Sequence, residues 1–129
     1  IAVASCLIQK VDLYALDEPS AFLDVEDRIA VAKFLQKFVR SFGKSAIIID
    51  HDLQLMDLVS DSMVIFEGTS SVAGTATSPM PKNDAMNRFL ESLDISFRRD
   101  VKTSRHRVNK EASRLDKEQK STGNYYFRK

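Results

Sequence analysis

A chain of 129 residues can bury one core, and its 43% hydrophobic and 29% charged residues are those of an ordinary globular protein. No apolar run approaches the length of a membrane span and no basic-apolar-small leader opens the chain, so no membrane partner is expected and a cytoplasmic setting is. The net charge of +1 hides an asymmetry: residues 1–96 carry 8 Lys/Arg against 14 Asp/Glu, whereas residues 97–129 carry 11 against 4, and clustered positive charge is the usual footprint for phosphate backbones.

The opening "IAVASCLIQK" has no initiator methionine and reads as the middle of a helix, with Ala4, Leu7 and Ile8 on one face. The expectation is a piece of a longer chain. Cys6 is the single cysteine, which excludes an internal disulfide and a cysteine-based metal site; among Val3, Leu7 and Ile8 it reads as a small core residue, and a reducing compartment fits. "VDLYAL" predicts a short strand apolar on both faces, as when helices cover a sheet. From Asp24 to Phe42 the residues Val31, Leu35, Phe38, Val39 and Phe42 recur at three and four, a helix with one buried face that Asp24 can cap and Gly43 can end.

"SAIIID" predicts a second buried strand, and residues 52–60 a short helix with Leu53, Met56 and Leu58 or Val59 inward. "SMVIFEG" predicts a third strand closed by Gly68, "GTSSVAGTATSPMPKND" a loop of small residues, and "DAMNRFLESL" a further helix. Beyond Phe97 the chain turns polar and basic, with an exposed helix expected over 111–120 and an aromatic end in Tyr125, Tyr126 and Phe127. Alternating helices and strands predict an α/β layer structure with a mainly parallel sheet. Right-handed crossovers then place consecutive strand ends along one edge, where ligands bind in open α/β sheets.

Both carboxylate clusters fall at that edge. In a nucleotide site an aspartate at the position of Asp17 can hold Mg²⁺ directly or through water, and the next carboxylate, Glu18, accepts hydrogen bonds from an attacking water. Pro19 removes a backbone donor and stops the strand. "IIIDHD" places His51 after the next strand, where a neutral imidazole could meet a terminal phosphate oxygen. Three consecutive residues, Asp50, His51 and Asp52, cannot all converge on one ion; the alternative is Asp52 capping a helix with His51 exposed. The tripeptide Gly43-Lys44-Ser45 imitates the end of a P-loop, but Phe38 stands where the first glycine would be, and the tripeptide leaves a helix rather than a strand. With glycines only at 43, 68, 74 and 123 there is no phosphate-cradling loop, so these residues alone are not expected to hydrolyse ATP.

A strand followed by "LDEPSAFLD", a helix, a strand and "DHD" resembles the second half of an ATP-binding-cassette nucleotide-binding domain, over residues 1 to about 67: Walker B segment, D-loop and switch histidine. "IAVASCLIQK" is similar to the helix after the family's signature motif. The resemblance implies the second half of a P-loop NTPase over 1–67, a closing loop and helix over 68–96, and a basic C-terminal extension or hinge over 97–129. It implies Asp17 on the Mg²⁺ side, Glu18 polarising water, Asp24 meeting the opposite cassette and His51 sensing the γ-phosphate. Ala15 stands where the family has a bulkier aliphatic residue.

"MNRFLESLDISFRRD" and "NKEASRLDKEQKSTGNYYF" resemble the end of the ribosome-recycling ABC ATPases, the RNase L inhibitor family or ABC-E subfamily, and specifically of their second cassette. "TSRHRVNK", with His106, departs from that tail. The resemblance implies ATP-driven splitting of ribosomes, ATP and Mg²⁺ as ligands, and iron–sulfur clusters in an N-terminal domain outside these residues. The partners it implies are the first cassette, small-subunit rRNA and proteins, and termination factors. The alternative class is a ribosome- or RNA-binding module acting through Arg98, Arg99, Arg105, Arg107 and Lys110, to be weighed against a solvated face or hinge contact. A cassette from a transporter or another translation-factor ATPase is disfavoured by the tail.

Overall fold

The computed structural model describes residues 2–69, 71–100 and 106–126, which divide into two compact units, 1–60 and 61–129. The first unit runs α1 (Ala2–Leu7), β1 (Leu13–Asp17), α2 (Val25–Ser41), β2 (Ser45–Ile49) and α3 (Leu53–Val59). β1 and β2 pair in parallel with Leu13 opposite Ser45 and Asp17 opposite Ile49. The connection between them is the crossover helix that a parallel pair requires. Its boundaries follow the sequence: the Asp24 carboxylate accepts from the Glu26 and Asp27 amides, and Gly43, at φ +60°, takes the left-handed turn that ends the helix. Gly43-Lys44-Ser45 is thus a helix end, with Lys44 paired to Asp12 at 2.7 Å, and not a phosphate loop.

Leu7, Tyr14, Leu16 and Leu35 form the core of this unit, with Val3, Cys6, Val31, Phe38, Ala46 and Ile48 packed against it. The Tyr14 hydroxyl donates to the Gln9 carbonyl at 2.8 Å while its ring meets Phe38 edge-on at 5.7 Å, which lets a polar tip sit in an apolar centre. Only one face of the sheet is covered in this way. Leu13, Ala15, Ile47 and Ile49 alternate onto the other face and are exposed, which corrects the expectation of strands buried on both sides. Ala15 therefore touches no core here. In α3 the buried positions are Leu55 and Asp57 rather than Leu53 and Met56.

The second unit is where the expected third strand breaks. Residues 62–68 divide into β3 (Ser62–Met63) and β4 (Phe66–Thr69); β3 pairs antiparallel with β6 (Met80–Pro81), and β4 with β5 (Ala73–Ala76). Parallel pairing is thus confined to β1 and β2 among the described residues. The small-residue stretch expected as a loop is in part this exposed hairpin, because backbone pairing needs no apolar side chains. Gly68 lies opposite Gly74 with φ +149°, and a Cβ on it would come within 2.1 Å of the Ala73 carbonyl oxygen, so only glycine fits.

α4 (Lys82–Ser92) buries Ala85, Met86 and Leu90, and Arg88 clasps Glu67 of β4 with two bonds of 2.6 and 2.7 Å. β7 (Phe97–Arg99) and β8 (His106–Val108) make an antiparallel pair, followed by α5 (Arg114–Ser121), which starts three residues later than expected.

α5 is held by polar groups, not apolar ones. Ser96 Oγ donates to Asp116 Oδ1 at 2.5 Å, the Ala112 amide donates to Oδ2 at 3.0 Å, and Lys120 lies 3.5 Å away. Asn109 donates to both Ser96 Oγ and Gln119 Oε1, and Gln119 Nε2 donates to the carbonyls of Phe97 and Asn124. Ser96, Asn109, Asp116 and Gln119 are all buried, and buried polar groups are stable only when satisfied in this manner. The expected exposed helix therefore has a buried polar seam. Among the described residues, no helix is long and apolar enough to cross a membrane.

Two outcomes follow for stability. Leu35 is 1% exposed, so Leu35→Ala should lower the unfolding free energy by about 2–5 kcal/mol in urea denaturation. The Ser96 hydroxyl, helped by the Ala112 amide and Lys120 against the opposing effect of burial, holds the Asp116 carboxyl below its ordinary value. A depressed carboxylate contributes stability that is complete above its unfolded pKa of about 4 and is lost as pH falls through the lower folded value. The urea midpoint should therefore drop with acid, and Asp116→Asn should remove part of that drop.

Candidate functional site

The parallel register decides what meets at the strand ends. Asp17 closes β1 opposite Ile49, and the Glu18 amide donates to the Ile49 carbonyl at 2.7 Å, so the ladder continues one step past the strand. Glu18 then turns sharply, with φ +44°, a conformation costing a non-glycine residue about 1–3 kcal/mol. Pro19 and Ser20 are buried beneath this turn. The Ala21 amide closes on the Glu18 carbonyl at 3.0 Å and the Leu23 amide on Ser20 at 3.2 Å. Phe22, between them, also has positive φ, +63°, and its ring is fully exposed. Strain at two of five successive residues, held by surrounding bonds, marks a segment whose shape matters beyond packing.

Across from it, residues 50–52 form the second turn. His51 Nδ1 lies 3.4 Å from Glu18 Oε1, with both side chains largely exposed. The flanking carboxylates face other tasks. Asp50 accepts from the Ser20 amide at 3.2 Å and from the Asp52 amide at 2.8 Å; Asp52 caps α3 through the Gln54 and Leu55 amides and pairs with Arg28 at 2.8 Å. Burial alone would raise the Asp52 carboxyl, but the Leu55 and Gln54 amides and the Arg28 guanidinium outweigh it and hold the group below its ordinary value. The alternative of Asp52 as a cap with His51 exposed is thus realised, and His51 nonetheless faces Glu18.

The structure therefore brings Asp17, Glu18 and His51 to one sheet edge. Asp24 is spent partly as the cap of α2, through its Oδ1. Among the described residues no group of three or more His, Cys, Asp or Glu could hold a metal ion. One exposed carboxylate at a strand end, Asp17, fits Mg²⁺ all the same, because that ion keeps several waters and takes other ligands from phosphates. Arg28 and Ser20 carry no signal in the sequence, and Asp50, weighed there only as a metal ligand, ties the two turns together with them: nothing in the spacing of residues from separate loops announces that they touch.

The basic tail is placed as follows. Arg98 donates to Asn109 Oδ1 at 3.2 Å, Arg107 lies 3.3 Å from Asp100, Arg99 is half-buried and Lys110 is exposed. Arg105 and Phe127 lie outside the described residues. Tyr126 is 4% exposed, its amide donates to Asn87 Oδ1 at 2.7 Å, and its ring lies 5.5 Å from that of His106, which also stacks on Phe97 at 6.2 Å. Tyr126 and His106 thus serve the packing of this unit.

A parallel strand pair ending in Asp-Glu and Asp-His-Asp, with an intervening capped crossover helix, defines the second half of a P-loop NTPase, an ABC-type nucleotide-binding domain. No protein-family model matches the chain. Translation initiation factor RLI1 of Saccharomyces cerevisiae is 41% identical over 127 residues, covering 98% of this chain and 21% of the relative. Of solved structures, archaeal ribosome recycling factor aABCE1, in complex with the archaeal ribosomal stalk protein aP1, superposes with a TM-score of 0.90 at 46% identity over 98% of this chain and 24% of that one. ABCE1 in a structure of ribosome-bound archaeal Pelota and ABCE1 gives 0.93 at 45%, over 98% and 21%. The chain belongs to the RNase L inhibitor family of ABC ATPases, and it spans about a fifth of the length of the curated relatives it matches.

Proposed function

We propose that the chain is the C-terminal part of the second cassette of a ribosome-recycling ABC ATPase, acting in the cytoplasm, and that in the full-length protein it helps hydrolyse ATP to split ribosomes into subunits. The observation that supports this above all is the Glu18–His51 contact, 3.4 Å across the ends of two parallel strands. Glu18 orients the attacking water by accepting its hydrogen bond, held in place by its own strained backbone and its bond to Ile49. His51, with Nδ1 toward Glu18, presents Nε2 as the ring atom available to a γ-phosphate oxygen. Asp17 would hold Mg²⁺ from the strand end, directly or through water, and a bound ion would supply neutralisation of charge on the phosphate oxygens. Asp24 faces the opposite cassette with the oxygen that does not cap α2.

The partners of this reading are the first cassette, the ribosome and termination factors. Relatives named for ribosome recycling and for a ribosome-bound complex support it. Iron–sulfur clusters belong, on this reading, to an N-terminal domain outside these residues. Arg98 and Arg107 engage Asn109 and Asp100 within their own unit, which supports a hinge role for the segment over direct RNA contact.

The 129-residue chain by itself should show no Mg-ATP hydrolysis above background; clear turnover would contradict its dependence on a phosphate loop supplied elsewhere. In the full-length protein, Glu18→Gln should slow hydrolysis at this site by roughly 10²–10⁴-fold if the carboxylate acts on the water, measured by phosphate release.

A further inference from the structure

The 18–24 turn carries Glu18 and Asp24, and the 50–52 turn carries His51, yet apart from the Glu18–Ile49 ladder bond and the exposed Glu18–His51 contact the two are tied by side chains outside that set. Asp50 spans from the Ser20 amide, at 3.2 Å, to the Asp52 amide, at 2.8 Å. The Arg28 guanidinium spans from the Leu23 carbonyl, through Nε at 2.8 Å, to Asp52 Oδ2, through Nη1 at 2.8 Å. Both ends of the tight 20–23 turn are thus pinned to the second turn, with Phe22 at positive φ between the pins. The Arg28–Asp52 pair is the more rigid of the two, since Asp52 is also bonded to two amides of α3 and its side chain is only 17% exposed. A planar guanidinium with its donors in a fixed fork transmits geometry in a way that a flexible ammonium does not.

We propose that Arg28, with Asp50 and Asp52, is a latch that sets the spacing of the two turns, and through it the Glu18–His51 geometry, so that Arg28 is a positioning residue for the chemical step and not for nucleotide affinity. This rests on the reading of the strand-end site as a nucleotide-hydrolysing one. Releasing the latch lets the 20–23 turn relax its strain and moves Glu18 relative to His51. Displacement of a catalytic group by about 1 Å costs on the order of 10²-fold in rate.

The test uses the full-length protein, with Glu18→Gln setting the loss that follows from silencing this site. Arg28→Met, and separately Asp52→Asn, should lower kcat for ATP by about ten- to a hundredfold at this site while KM stays within about twofold, and should shift the pH profile of kcat. Asp52→Asn keeps the cap of α3, because asparagine caps as well as aspartate, so it breaks the ion pair without unravelling the helix. Arg28→Lys should recover part of the rate, reaching Asp52 but not Leu23 at the same time. Should Arg28→Met fail to fold, Asp52→Asn and Arg28→Lys decide the matter. An unchanged kcat in the folded variants, with Glu18→Gln inactive, overturns the latch and leaves the nucleotide-site reading standing; so does a fall in kcat with an unmoved pH profile, which assigns the contacts to fold maintenance. An unchanged rate in Glu18→Gln overturns the reading, and the latch with it.

Discussion

The register of one parallel strand pair governs the rest of the first unit. Because Asp17 stands opposite Ile49 and the Glu18 amide bonds the Ile49 carbonyl, the chain leaves both strands at the same height, and whatever follows each strand must meet. A slip of one residue would turn Tyr14 and Leu16 out of the core and carry Glu18 away from His51. The apolar pattern of β1 and β2 therefore sets the geometry of the strand-end site as well as the core: Leu7, Leu35 and Phe38 hold the register by covering Tyr14, Leu16, Ala46 and Ile48.

Strain is concentrated where that register delivers the chain. Glu18 and Phe22 both occupy left-handed backbone that their side chains disfavour, at about 1–3 kcal/mol each. The turn keeps this shape because its amides and carbonyls are claimed on every side, by Ile49, by Asp50 and by Arg28. A turn satisfied in this way is stiff, and it holds the backbone from which the Glu18 side chain projects toward His51.

The second unit solves a different problem. Its short strands and polar helix offer little apolar area to α5, whose buried residues are Asp116 and Gln119. Hydrogen bonding takes the place of apolar packing there: Ser96, Asn109, Asp116 and Gln119 satisfy one another and the carbonyls of Phe97 and Asn124. Such a network specifies one arrangement sharply, because removing any member leaves a buried donor or acceptor unpaired at about 1–3 kcal/mol. Two basic residues pair at its margin, Lys120 with Asp94 and Asp116, and Arg98 with Asn109.

The sequence by itself determined what depends on near neighbours along the chain. The helix caps at Asp24 and Asp52, the stop at Gly43, the two strands and the crossover helix between them all follow from side chains acting within a few residues of their own backbone. The carboxylates and the histidine at the strand ends were legible for the same reason, as motifs in a fixed order. Only the tertiary structure decided what depends on residues far apart. It divided the expected third strand between two antiparallel pairs, because pairing partners at 73–76 and 80–81 lie in a stretch with no apolar alternation to announce them. It left one face of the parallel sheet uncovered by the described residues, since an alternating run of Leu, Ala and Ile looks the same whether one side or both are covered. And it brought Arg28 to Asp52 and Asp50 to Ser20, contacts that exist because two loops share a sheet edge and that no local pattern encodes.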